Sequence, residues 1–144
     1  MYKRILVPLD GSPLAEGILP HVQELAKSIG AELVLLRVAI AHTFPGADPI
    51  EAQVTVVQEA ESYVTGLAEK LQGAGVRAGA KVRYGDPVEE ILDHVAWDRI
   101  DLIAMATHGR TGLKRVVLGS VAEHVLHRAP VPLLLLRAHP AEQA

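Results

Sequence analysis

Apolar residues fall into two alternating patterns along this chain. Short runs, apolar on nearly every residue, alternate with longer stretches whose apolar residues recur at intervals of three and four. Ile5-Leu6-Val7, Glu32 to Val38, Val76 to Tyr84, Leu102 to Ala106 and Val131 to Arg137 read as strands. From Leu33 to Leu36 every residue is apolar, which suits burial on both faces of a sheet. In the third run Arg77, Gly79, Lys81 and Arg83 alternate with Val76, Ala78, Ala80, Val82 and Tyr84, so one face is wet and the strand belongs at an edge.

Helical stretches fill the intervals, and their ends are punctuated. Ser12-Pro13 opens one whose buried face is Leu14, Ile18, Val22, Leu25 and Ile29, and Gly30 ends it. Asp48-Pro49-Ile50-Glu51 opens a long helix to about Gln72, ended by Gly73 and Gly75. Asp86-Pro87 opens a third, with Val88, Ile91, Leu92 and Val95 facing inward. Ser120-Val121-Ala122-Glu123 has the form of a capping box and opens a last helix to about Arg128, before Pro130.

Strict alternation of strand and helix predicts an α/β fold: one five-stranded parallel sheet with right-handed crossovers and helices on both faces. Taken in the order 3-2-1-4-5, the chain reverses direction between the first and fourth strands. Ligands of such sheets sit beyond the carboxyl ends of the strands at that switch point. Pro8-Leu9-Asp10-Gly11 and Ala106-Thr107-His108-Gly109 flank it.

Composition narrows the function classes. The 144 residues suffice for one domain, which at this size buries roughly 68–70% of its unfolded surface without staples. Residues 1–138 are read as that domain and 139–144 as a frayed tail. The absence of cysteine removes thiol chemistry and thiolate metal sites. A net charge of -3 argues against broad nucleic-acid binding. No signal peptide or membrane span is evident, so a cytoplasmic protein is expected.

Candidate chemistry concentrates in Asp101 to Ser120. A buried-strand pattern runs into a loop with Gly109, Gly112, Arg110, Lys114 and Arg115, and ends at Gly119-Ser120 before a helix. Unpaired N–H groups and the helix dipole favour an anion at such a start, so the segment points to a phosphate. The Ser120 hydroxyl has two readings: it caps its own helix with Glu123, or it faces the phosphate alongside the Val121 N–H. Three cations in a loop are most often solvated charge, and Arg110 or Arg115 beside a phosphate would screen it. His108 stands in no catalytic constellation. His124 and His127 share a helix face without a third metal ligand.

These residues resemble the universal stress proteins, in particular their ATP-binding branch. The likeness is carried by Ile5-Leu6-Val7-Pro8-Leu9-Asp10-Gly11-Ser12, by Gly85-Asp86-Pro87 and by the run from Asp101 to Arg137. The family's nucleotide motif is Gly, two residues, Gly, nine residues, Gly, then Ser or Thr. Its later positions match Gly109, Gly119 and Ser120, with Ala106 at the first glycine. The resemblance implies ATP as ligand, with magnesium. Asp10 would contact the adenosine half, beside a wall of Pro8 and Leu9, and the Val38 backbone would meet the adenine edge. Ala106, Thr107, His108, Gly109, Arg110, Gly119, Ser120 and Val121 would complete the site. It also implies a homodimer through the last strand. Val131, Pro132, Leu133, Leu134, Leu135 and Leu136 would form a hydrophobic edge that needs covering.

Two functions are therefore expected in order: a nucleotide-dependent regulatory or stress-response module with little or no hydrolysis, and a slow hydrolase cleaving within the triphosphate. The chain has no Gly-x-x-x-x-Gly-Lys-Ser/Thr loop to drive efficient turnover. A phospho-receiver ranks below both, since Asp10 has no acidic companion and strand three ends Arg83-Tyr84-Gly85-Asp86.

Overall fold

The computed structural model describes residues 1–41, 44–109, 116–117 and 119–138. Its strands are β1 (Arg4–Pro8), β2 (Glu32–Ala39), β3 (Ala78–Tyr84), β4 (Leu102–Gly109), β5 (Val116–Val117) and β6 (Leu133–Ala138). Its helices are α1 (Pro13–Glu16), α2 (Leu19–Ile29), α3 (Pro49–Gly73), α4 (Pro87–Trp97) and α5 (Ser120–Arg128).

The parallel sheet runs β3-β2-β1-β4-β6, the order 3-2-1-4-5 expected for five strands. β5 is an addition: two residues antiparallel to the end of β4, with His108 opposite Val117 and Gly109 opposite Val116. Its shortness hid it inside a loop signal.

Side-chain alternation divides the core between two faces. Ile5, Val7, Leu33, Leu35, Leu102 and Ala104 pack with Val22 and Ala26 of α2 and Ala68 and Leu71 of α3. Leu6, Val34, Leu36, Ile103 and Met105 pack with Ile91 and Val95 of α4 and Ala122 and Val125 of α5. Both faces being covered explains why the central strands are continuous apolar runs. Leu6, Leu35 and Ile103 are sealed from solvent, and such burial stabilises by about 1.5–3 kcal/mol per side chain.

Several boundaries differ from expectation, among them the end of β4, which runs to Gly109 instead of stopping at Ala106. The first helix is two, α1 and α2, because Pro20 has no N–H with which to continue the hydrogen-bond ladder. Gly17 N–H bonds Pro13 and Leu14 carbonyls, and the Ile18 carbonyl restarts the ladder by accepting from Val22. Ile29, expected inside, is 45% exposed at the end of α2. β3 and β6 begin at Ala78 and Leu133, each two residues later than their patterns. β3 pairs only with β2 among the described residues, and so lies at an edge. The tail 139–144 lies outside the described residues.

Candidate functional site

The site begins with strands that part. β1 stays paired with β2 through Pro8–Leu36, and Leu9 N–H extends this by bonding the Leu36 carbonyl at 2.8 Å. β1 meets β4 only at Ile5–Leu102 and Leu6–Ile103. β6 follows the opposite edge of β4 as far as His108. Beyond Leu6 a gap therefore opens between the carboxyl ends of β1 and β4, at the switch point. It holds a cavity of about 400 Å³, within the range of small-ligand sites.

Pro8, Leu9 and Asp10 line one wall. Asp10 leaves β1 into a tight turn, where its Oδ1 accepts from Ser12 N–H at 2.9 Å. Ser12 Oγ in turn accepts from Ala15 N–H at 3.1 Å and caps α1. The turn role and the place on the cavity wall are thus held by the same carboxylate. Partial burial pushes the Asp10 carboxyl up, but the Ser12 hydrogen bonds and the nearby Arg37 charge outweigh it. The net pKa lies below the ordinary carboxylate value, so Asp10 is ionised at neutral pH.

Gly119, Ser120, Val121 and Ala122 line the wall across the gap. Here the structure corrects the capping box. The N-cap is Gly119, with φ −67° and ψ 155°, and no side chain caps the helix. Ser120 is the first helical residue. Glu123 N–H bonds the Gly119 carbonyl at 2.9 Å, which places Glu123 one position past its partner slot in a capping box. The Ser120 hydroxyl, exposed, is not spent on its helix cap. The first turn of this nine-residue helix lines the cavity, and the unpaired N–H groups and dipole of a helix start favour negative charge there.

The remaining wall is mainly apolar: Leu36, Val38, Ile40, Ile91, Met105 and Ala106. Val38 contributes backbone as well as side chain. In β2 the odd residues bond β3, as in Leu33 N–H to the Arg77 carbonyl and Gly85 N–H to the Ala39 carbonyl. The even residues face β1, as Leu36 does. Val38 N–H and C=O therefore point to the side that β1 has left, one donor and one acceptor at the cavity edge.

Other expected residues lie elsewhere. Thr107 is buried, does not line the cavity, and its hydroxyl donates to the Leu136 carbonyl at 3.4 Å. His108 and Gly109 form the end of β4 against β5 and β6. Arg110, Gly112, Lys114 and Arg115 lie outside the described residues. His124 and His127 are exposed on α5. Among the described residues no group of three acidic, histidine or cysteine side chains could hold a metal. Among the described residues that line the cavity, Asp10 is the one carboxylate.

Arg37 was not anticipated. It lines the cavity beside Asp10, and its guanidinium lies 5.5 Å from the centre of the Tyr63 ring. The Tyr63 hydroxyl donates to Glu16 Oε2 at 2.7 Å. Burial, then the Glu16 carboxylate, raises the Tyr63 pKa well above the ordinary phenol value. The signal was present in the sequence: one cation between Leu36 and Val38 at the carboxyl end of an apolar strand.

The molecule is an open, doubly wound α/β domain with a cleft between a carboxylate turn and a helix N-terminus. The sequence matches the universal stress protein family over residues 1–137. The chain belongs to that family. It is 34% identical to universal stress protein MJ0531 of Methanocaldococcus jannaschii, over 95% of this chain and 83% of the relative. The solved structure of MJ0577 from the same organism superposes with a TM-score of 0.81 at 30% identity, covering 96% of this chain and 98% of that one. A universal stress protein of Arabidopsis thaliana, solved with AMP bound, shares the fold with a TM-score of 0.67 at 19% identity, covering 99% and 95%. No helix among the described residues is long and apolar enough to cross a membrane.

Proposed function

We propose that residues 1–138 form a cytoplasmic ATP-binding module that acts in a stress response by presenting different surfaces to a partner with and without nucleotide. ATP enters with magnesium on its phosphates and is hydrolysed slowly or not at all. The observation that carries this reading is the cavity itself, with an ionised carboxylate on one wall and a helix N-terminus on the other. The apolar wall and the Val38 backbone suit a purine. The Asp10 side suits the ribose. The free N–H groups of α5, next to the unbranched Gly119, suit phosphate. The family relative solved with AMP supports an adenine nucleotide as the ligand class.

Calorimetric titration of nucleotide-stripped protein with Mg·ATP tests it, beside Gly119→Val. Micromolar binding by the wild type, weakened at least tenfold in the variant, is expected. A folded wild type that binds no adenine nucleotide overturns the reading. Product analysis of the same mixtures separates it from the hydrolase alternative, which requires turnover above background.

A further inference from the structure

The outer side of the edge strand β3 is open. β3 turns its odd residues to β2: the Arg77 carbonyl accepts from Leu33 N–H, and Gly85 N–H donates to the Ala39 carbonyl. The N–H and C=O groups of its even residues therefore point away from the sheet. One of these is covered, since Gln72 Nε2 of α3 donates to the Ala78 carbonyl at 2.7 Å. Among the described residues nothing bonds the outward groups of Ala80, Val82 and Tyr84. An edge of this kind accepts an added strand from another chain.

The two faces of β3 specify what that strand must carry. The even side chains lie on the α3 side, where Ala78 belongs to the core and Ala80 packs against it. The odd side chains lie on the α4 side and are cationic. Arg83 is engaged there, with Glu90 at 3.0 Å and His94 at 2.9 Å. Lys81 is exposed and forms no ion pair among the described residues. Its Nζ stands 6.0 Å from the centre of the Trp97 ring on α4. Trp97 is itself 68% exposed, an unusual place for the residue type most enriched among interface anchors. β3 carries no carboxylate. A second copy paired edge to edge would set these cations against their own kind, which is destabilising. A strand of alternating apolar and acidic residues fits instead, its apolar side beside Ala80 and Val82 and its acidic side toward Lys81 and Trp97.

We infer that the free edge of β3, with Lys81 and Trp97 as its recognition side chains, captures an extended acidic segment of a partner protein as an added strand. No residue of β3 lines the cleft between β1 and β4, so this inference and the nucleotide reading stand or fall separately.

Trp97 is the chain's single tryptophan, which makes the test direct. Its emission is followed while the protein is titrated with a short peptide of alternating valine and glutamate, and with the valine–lysine counterpart. A saturable change with the glutamate peptide, at an affinity about tenfold or more above that for the lysine peptide, is expected. Lys81→Glu should reverse that preference. Val82→Pro, which deletes an outward N–H and spares the bonds to β2, should weaken the glutamate peptide by about tenfold or more, with its helix content intact by circular dichroism. No binding of the glutamate peptide by the wild type overturns the inference, and so does equal affinity for the two peptides. An unchanged preference in folded Lys81→Glu, or unchanged binding in folded Val82→Pro, overturns it as well. A dimer in sedimentation that Val82→Pro dissolves overturns it in favour of a second copy on this edge. Each of these results leaves the nucleotide reading as it was, and a protein that binds no nucleotide leaves this edge as it was.

Discussion

Gly11 shows how much a single residue carries here. Its φ of +86° lies in the left-handed region, and its missing side chain leaves room for the Arg37 guanidinium. Gly11→Ala should destabilise by about 1–2 kcal/mol, chiefly through the backbone conformation, since the arginine tip can swing aside. Chemical denaturation measures this, and an unchanged midpoint would contradict it. At this scale the sequence was informative where a residue type has few uses. Asp10 after an apolar strand and Gly119 before a helix both pointed to the cleft that they line. Ser120 misled by one position, because Gly119 takes the extended cap conformation and draws the helix start back. Arg37 escaped notice because its significance depends on Tyr63 and Gly11, which are distant in sequence and meet it only in the fold.

Among the elements, α4 is held by a polar network that its periodicity did not reveal. His94, 2% exposed, sits on the buried face with Ile91 and Val95. Arg83 Nε donates to its Nδ1 at 2.9 Å, so the ring proton is on Nε2 and is donated to Asp98 Oδ2 at 3.0 Å. Asp98 also pairs with Arg4 at 2.8 Å, tying α4 to the start of β1. Burial lowers the His94 pKa, and the Arg83 and Lys81 charges add to this against the pull of Asp98. A folded pKa below the unfolded 6.5 means that the fold favours the neutral ring. This contribution is complete above pH 6.5 and is lost as pH falls from there through the folded pKa. Thermal melting should therefore show a loss of stability on acidification below pH 6.5. His94→Gln should flatten that slope, and an identical slope in the variant would remove His94 as its source. The elements themselves were legible because burial on both faces leaves a plain apolar code. Their ends were less so: a proline split the first helix, and β5 is too short to show a period.

For the whole molecule, the parallel sheet followed from strand–helix alternation, since parallel strands need crossovers and these have one hand, while its order was taken from the common arrangements of such sheets. The state of its far edge did not follow. β6 uses one edge on β4: Ile103 N–H bonds the Pro132 carbonyl at 3.1 Å, so 132, 134 and 136 face β4 and 133, 135 and 137 face outward. Leu133 to Leu136 are all half-buried against the two cores. An apolar edge of this kind invites a partner strand, and we propose that a second copy supplies it through the same segment. Sedimentation velocity should show a dimer at micromolar concentration. Leu135→Pro, which deletes an outward N–H and spares the bonds to β4, should shift it to monomer with its helix content intact. A wild-type monomer would refute this interface.

The early parting of β1 from β4 belongs to the path of the backbone, not to the side chains along it. Leu6 and Ile103, the last residues the two strands share, lie deep in the core, whereas Arg37, Ile40 and Val38 lie past the point where the strands separate. The fold thus keeps its lock body and its key profile in different residues. Descendants of this architecture can exchange the profile while the body stands.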